Sequence, residues 1–273
     1  MPGSELAGRC YVNTRPLVQA EELSLLLRAH GAEVIEFPAL EIVPCAEPQT
    51  FGAEFAELKE GDWLLFTSAN AVRAAGDWLL RHSAGRHRHC GAIGRKTAEA
   101  LSAAGLVADF VAAESNSAGF AREFLSFIKS GDFAQVPLRV LLLRGDIAGD
   151  ELPFLISGAG ISVVQLVVYS SRLPQVEGTQ VAELSNRLGT SAVHGFIFTS
   201  SQAIRNFLAI LLARLTPDKG AVAQSVSEGL LAVPCFVIGP KTAATARETG
   251  FSRIMTSQRA SAESLVELIL AEH

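Results

Sequence analysis

The chain has 273 residues, 49% of them hydrophobic and 19% charged, with 23 Lys and Arg against 28 Asp and Glu and a formal net charge of −5. A length of this order suits two compact units or one large α/β domain, and so apolar a composition excludes intrinsic disorder. No basic stripe of the nucleic-acid-binding kind is present, and no apolar run approaches the ~20 residues that cross a bilayer, so neither nucleic acid nor membrane is an expected partner.

In chain order, Met1 to Cys10 contains no apolar stretch of the signal-peptide kind, and a cytoplasmic protein is expected. A strand–helix–strand unit follows at about residues 9 to 38. Residues 39 to 47, punctuated by Pro38, Pro44 and Pro48, read as extended. Gly61 to Phe66 reads as a strand running into a turn, with Ser68 capping a helix from Ala69 to about Arg81. Cys90 to Ile93 is the next strand, Gly94 a turn, and Lys96 to Ala104 a helix closed by Gly105. Val107 to Val111 is a short strand, and Ser117 caps a helix reaching Lys129. Strands at Arg139–Leu143 and Ile161–Val168 flank a helix near Gly149 to Ser157, and 169–175 is again extended, with Pro174. Three more strands are expected at about 195–198, 234–238 and 252–256. The four cysteines, Cys10, Cys45, Cys90 and Cys235, form no C-x-x-C pair and read as reduced thiols.

Self-comparison reveals a repeat. Phe66-Thr67-Ser68-Ala69-Asn70-Ala71-Val72-Arg73 returns as Phe198-Thr199-Ser200-Ser201-Gln202-Ala203-Ile204-Arg205, and Ile93-Gly94-Arg95-Lys96-Thr97-Ala98 as Ile238-Gly239-Pro240-Lys241-Thr242-Ala243. The opening Val12-Asn13-Thr14-Arg15 has a fainter echo in Leu141-Leu142-Leu143-Arg144. Alternating short apolar runs and 3.6-period segments imply parallel sheets covered by helices on both faces. Residues 48–167 supply a full set of strands alone, whereas the strands of 1–38 and of 176–273 complete a set only together. The expected fold is α/β: two similar three-layer α/β/α domains with parallel five-stranded sheets, joined by a two-stranded β linker. One domain combines 1–38 with 176–273, 48–167 is inserted into it, and 39–47 and 168–175 are the hinge strands.

Ligands of open α/β sheets bind where strand ends run into helix N-termini. Six such loops are recognisable: Asn13 to Pro16, Thr67 to Asn70, Gly94 to Thr97, Arg144 to Asp146, Thr199 to Gln202, and Gly239 to Thr242. They combine small hydroxyl or Gly residues with backbone N–H groups at a positive helix end, which suits carboxylates or phosphates. Arg15, Arg95, Lys96, Arg144 and Lys241 add charge, and loops of this kind on two domains that can face each other make a polyanion cleft. The candidate ligand contacts are Arg15, Ser68, Ala69, Asn70, Gly94, Lys96, Thr97, Arg144, Ser200, Ser201, Gln202, Gly239, Lys241 and Thr242. The competing reading of the hydroxyl residues is that they are helix caps and nothing more.

Dinucleotide, P-loop and hydrolase-elbow signatures are absent. His82, His87, His89 and Cys90 crowd one connection without the spacing of a metal-ligand set, so no metal is expected. Of the two tyrosines, Tyr11 opens a strand and reads as structural. Tyr169 ends a strand where the chain crosses between domains, either as a phenol directed at a ligand or as an aromatic capping a core.

The ordered series Thr14-Arg15-Pro16, Phe66 to Val72, Gly94 to Ala98, Leu143-Arg144-Gly145, Val168-Tyr169, Phe198 to Ser201 and Ile238 to Ala243 resembles the uroporphyrinogen-III synthase family over nearly the whole chain. The resemblance implies cyclisation of the linear tetrapyrrole hydroxymethylbilane with inversion of the last ring and loss of water, using no cofactor; a monomer is expected. It implies a substrate rich in carboxylates. It also maps the family's hydrogen-bonding participant onto Tyr169, and its carboxylate-binding hydroxyls onto Ser68, Ser200, Thr97 and Thr242. The chain departs from a symmetric pattern where Arg95 stands opposite Pro240, and in a longer connection at 212–233 that is expected to add a helix or mobile loop. A non-catalytic hinged cytosolic binding protein for an anionic metabolite is the alternative function.

Overall fold

A computed structural model describes residues 5–45, 49–59, 61–82, 89–114, 116–130, 139–215 and 229–273. In chain order its elements begin β1 (Cys10–Asn13), α1 (Leu17–Ala29), β2 (Glu33–Glu36), β3 (Glu41–Pro44), α2 (Gln49–Ala56), β4 (Trp63–Phe66) and α3 (Ala69–His82). Next come β5 (His89–Ala92), α4 (Arg95–Ala103), β6 (Phe110–Val111), α5 (Ser117–Ser130), β7 (Arg139–Gly145), α6 (Glu151–Gly158) and β8 (Ser162–Arg172). The chain ends with α7 (Gly178–Gly189), β9 (Gly195–Phe198), α8 (Ser201–Leu215), β10 (Cys235–Ile238), α9 (Gly239–Glu248), β11 (Ile254–Ser257) and α10 (Ala262–Ala271). These fall into two compact units, Met1–Glu41 with Arg172–His273 (unit 1) and Ile42–Ser171 (unit 2).

Unit 1 is built on a five-stranded sheet of order β11-β10-β9-β1-β2, with every pairing parallel. β1 and β9 are buried at all four of their positions, as strands covered on both faces must be. Alternation splits their side chains. Phe196 and Phe198 face α7, α8 and α9 through Leu184, Phe207 and Ala246, whereas Tyr11 and Ile197 face α1 and α10 through Leu23, Leu27, Leu265 and Ile269.

Unit 2 carries a sheet of order β3-β8-β7-β4-β5-β6, and β8-β7-β4-β5-β6 is parallel throughout. Leu64, Phe66, Leu141 and Leu143 pack towards α2, α3 and α4; Trp63, Leu65, Val140 and Leu142 pack towards α5 and α6. The two sheets repeat one plan. The strand before each Phe-Thr-Ser turn (β4, β9) is central, the strand before each Gly-x-x-Thr turn (β5, β10) lies on one side of it, and the strand before an arginine loop (β7, β1) on the other.

The unit 2 sheet has six strands where five were expected, because β3 is an edge strand of this sheet, with Cys45 N–H donating to Val168 O at 3.0 Å. β8 also continues past Val168 to Arg172, so Tyr169 lies within the strand. Without β3, the outer edge of β8 would leave backbone donors and acceptors unpaired. α2 was not anticipated. It is held by Phe51 and Phe55, one helical turn apart, whose rings meet Trp78 at centroid distances of 4.3 and 4.7 Å. The expected strand 107–111 shrinks to Phe110–Val111, and α5 is capped by Asn116, whose Oδ1 accepts from Gly119 N–H at 2.8 Å, in place of Ser117. All four cysteines are free thiols. Residues 216–228 of the longer connection and His87 lie outside the described residues.

Candidate functional site

Because β8-β7-β4-β5-β6 in unit 2 and all five strands in unit 1 run parallel, the turns that follow them share one edge in each sheet. In unit 2 that edge carries the turns after β4, β5 and β7. Ser68 caps α3, its Oγ accepting from Ala71 N–H at 3.1 Å, and Thr67 is tied to β7 by N–H and hydroxyl bonds to Leu143 O at 3.2 and 3.3 Å. Gly94, with φ of 80°, turns the chain into α4 in a conformation that a β-carbon disfavours, and Gly239, with φ of 74°, does the same for α9. First-turn amides of both helices therefore sit at the positive end of a helix dipole, flanked by the exposed Lys96 and Lys241.

Tyr169 is brought to the same edge by an irregularity. Arg144 pairs with Val167 and Gly145 with Tyr169, so β8 bulges by one residue at Val168. Simple alternation would send Val168 and Tyr169 to opposite faces. With the bulge, Tyr169 packs against the same apolar cluster as Val168 and Leu166. Its phenol reaches Ser68 Oγ at 3.2 Å. Gly145 lies directly beneath the ring: a β-carbon there would come within 2.5 to 2.7 Å of the ring carbons Cζ and Cε2 and the phenol oxygen. The main chain is pinned as well, Asp146 N–H donating to Tyr169 O at 3.1 Å and Ser171 N–H to the Asp146 carboxylate at 3.0 Å.

In unit 1, Ser200 repeats the cap of Ser68, its Oγ accepting from Ala203 N–H at 3.2 Å. Ser201 Oγ donates to Lys241 O at 3.3 Å and lies 2.9 Å from Thr245 Oγ1, which stitches the start of α8 to α9. Gln202 donates to Asn206 Oδ1 at 2.8 Å, and the buried Asn206 donates in turn to Ala39 O at 2.9 Å. Arg15, largely buried, has Glu22 at 3.7 Å.

The structure thus gathers Ser68, Ala69, Asn70, Gly94, Lys96, Thr97 and Tyr169 at one sheet edge of unit 2, and Arg15, Ser200, Ser201, Gln202, Gly239, Lys241 and Thr242 at one edge of unit 1. Arg144 departs from the expectation. It alternates onto the opposite face of β7 from Leu143, is 5% exposed, and bonds Gln165 Oε1 and Asp150 Oδ1, the latter at 3.3 Å. The Thr97 side chain, 3% exposed, donates its hydroxyl to Ile93 O at 3.1 Å, and Thr242 is likewise buried. Arg95 is exposed and pairs with Glu99 at 3.4 Å. Gly145 and Asp146 appear in the sequence only as part of the Arg144 turn, and a glycine at a strand end is the one signal of a close approach there.

Among the described residues no group of three or more His, Cys, Asp or Glu is placed to hold a metal. A concavity of about 620 Å³ in unit 2, lined by Glu57, Lys59, Asp62, Arg139, Ser162 and Val164, lies at the opposite ends of the strands from Tyr169. Arg139 within it is already paired with Glu54 and Glu57.

Residues 21–267 match the family model described as uroporphyrinogen-III synthase HemD. Over 253 residues, the chain is 28% identical to a uroporphyrinogen-III synthase of Synechococcus elongatus, covering 91% of this chain and 89% of that protein. It is 26% identical to a porphyrin biosynthesis protein HemD of Ruminiclostridium josui, of which it spans about half, 49%. Among solved structures, a mutant uroporphyrinogen III synthase of Thermus thermophilus and the uroporphyrinogen-III synthetase of Helicobacter pylori each superpose with a TM-score of 0.57 at 18% identity, each over 97% of this chain and covering 98% and 100% of theirs. These two likenesses carry the α/β fold with parallel sheets.

Proposed function

The chain belongs to the uroporphyrinogen-III synthase family, and from that premise we propose that Tyr169 of unit 2 serves the departure of the hydroxyl group of hydroxymethylbilane. The reaction closes a linear tetrapyrrole by loss of water, with inversion of the last ring. The C–O bond of the hydroxymethyl group breaks, the lone pair of its pyrrole nitrogen supplies the electrons, and the oxygen leaves as water once it has gained a proton. The azafulvene cation so formed is attacked by the last pyrrole at its substituted carbon; fragmentation of the spiro intermediate and reclosure at that ring's unsubstituted carbon give the asymmetric ring, and the proton lost from that carbon balances the one taken by the departing oxygen. No electrons are gained or lost overall, so the chemistry calls for no redox cofactor.

A phenol is suited to the first step because it has one proton to share with a departing oxygen. The observation that carries the assignment is the half-buried Tyr169 hydroxyl at the edge where the Ser68 and Gly94 turns meet. We assign the substrate carboxylates to the turns of both units, through first-turn amides at Ser68 to Asn70, Gly94 to Thr97, Ser200 to Gln202 and Gly239 to Thr242, with Lys96, Lys241 and Arg15 adding charge. The proposal includes a monomeric cytoplasmic enzyme whose units act as two domains linked through β3 and β8. A binding protein without turnover is not favoured, since the family match runs across most of the chain. The test is incubation with enzymatically generated hydroxymethylbilane. The type III isomer is expected; exclusive type I product, the outcome of unassisted closure, overturns the reading.

A further inference from the structure

Resting on that reading, we propose that Ser68 is a positioning residue for the phenol: its hydroxyl donates its proton to Tyr169 and thereby leaves the Tyr169 proton free for the departing hydroxyl, and that hydroxyl does not hold a substrate carboxylate. The two oxygens are 3.2 Å apart, a distance that admits a bond of either polarity. Polarity is decided by what else Ser68 does. Its Oγ already accepts from Ala71 N–H at 3.1 Å, at the positive end of α3. An oxygen that accepts from a helix amide in that field is a weakened acceptor, and its own proton is a strengthened donor. The proton of Ser68 therefore points to Tyr169.

The consequence for the phenol follows from its inventory of one donor and two acceptor sites. If Tyr169 donated to Ser68, its proton would be spent, and the substrate would meet only lone pairs, which do nothing for a departing hydroxyl group. Accepting from Ser68, the phenol keeps its proton for the substrate. The remaining freedoms of Tyr169 are taken up elsewhere. Gly145 lies beneath the ring, and Asp146 N–H holds the Tyr169 carbonyl at 3.1 Å. What is left is rotation of the hydroxyl about its C–O bond, and Ser68 is the described neighbour that sets it.

The experiment is a double-mutant cycle on the full chain with hydroxymethylbilane, reading kcat and KM separately and thermal midpoint alongside. Ser68→Ala is expected to lower kcat roughly tenfold, the scale of one well-placed hydrogen bond, with KM within about twofold. Ser68→Thr, which keeps both cap and donor, restores the rate. In a Tyr169→Phe background the alanine change costs nothing further, because the phenol through which Ser68 acts is gone. Ser68→Asp guards against a folding failure of the alanine variant: it keeps the helix cap but accepts from the phenol, so the chain folds and kcat falls at least as far as in Ser68→Ala. A raised KM with kcat preserved, full additivity with Tyr169→Phe, or an undiminished kcat in Ser68→Asp each overturns the proposal. Failure of the wild-type chain to yield type III isomer is a separate result, and it defeats the synthase reading itself.

Discussion

Gly145→Ala tests whether the phenol must lie where the bulge in β8 puts it. The added β-carbon would come 2.5 Å from Cζ, 2.6 Å from Cε2 and 2.7 Å from the phenol oxygen of Tyr169. Comfortable carbon contacts begin near 3.5 Å, so the ring must retreat by roughly 1 Å. Overpacking of this kind costs about 1–3 kcal/mol where nothing yields; here the intruded group is the outer end of a half-buried side chain, and the loss should sit near 1 kcal/mol. The rate is far more sensitive. A 1 Å retreat stretches the 3.2 Å bond to Ser68 past hydrogen-bonding range, and a displacement of that size at a reacting group costs on the order of 10²-fold. The expected result is a chain whose urea midpoint changes little while type III formation falls by one to two orders of magnitude, and the spontaneous type I product grows. An alanine variant that forms type III isomer at the wild-type rate would refute the placement of the phenol as a requirement of the reaction.

Arg144→Met separates two roles that the sequence leaves joined: removing the buried guanidinium from Gln165 and Asp150 should cost roughly 1–3 kcal/mol in urea unfolding with KM unchanged, and a raised KM in a stable chain would return Arg144 to the substrate. Burial pushes the Tyr11 phenol up to about 12. Its folded value exceeds the unfolded ~10, so its contribution is complete below pH ~10 and is lost as pH rises towards 12; Cys235, also pushed up to about 12 by burial, begins its loss lower, near its unfolded ~8.5. Urea midpoints followed from pH 9 to 11.5 should fall, and Tyr11→Phe should flatten the part of the fall above pH 10; an identical slope in the variant removes Tyr11 from the account.

Strand and turn chemistry was readable because it is local. Trp63 to Phe66 and Gly195 to Phe198 are runs that only a doubly covered strand accommodates, and Ser68 and Ser200 cap the helices that follow. α2 escaped because Phe51 and Phe55 make a pattern too short to stand out and gain their meaning from Trp78, more than twenty residues away. The placement of Arg144 was hidden for a different reason. A strand end gives no sign of its face until the register is known, and one residue of alternation separates the edge carrying Tyr169 from the side of Asp150 and Gln165. The same limit hid the role of Gly145, since nothing local announces that β8 bulges at Val168. The hydroxyl of Thr97 looked available in the sequence, but a Thr in a helix's first turn has the preceding strand's carbonyl in reach, and Ile93 O takes its proton.

Under the proposed function, the duplicated plan lets the chemistry be placed once and the turns at helix N-termini twice. Ser68 and Ser200 have almost the same local geometry, their oxygens 3.1 and 3.2 Å from the amides of Ala71 and Ala203. Gly94 and Gly239 share a positive φ, 80° and 74°, at the head of α4 and α9. Turns of this kind need only backbone and small residues, so a duplicated plan supplies them in each unit. The donor proposed for the single leaving hydroxyl is a phenol, and the chain has two tyrosines. Tyr11 is consumed in the core of unit 1, bonded to His273 Nε2. Tyr169 is made available by three departures of unit 2 from the common plan: a bulge in β8, a glycine opposite it in β7, and β3 covering what would otherwise be the open edge. On the proposed role of Tyr169, each serves to stand the phenol at the strand ends, and the two serines, alike in their caps, differ in that Ser68 also reaches that phenol.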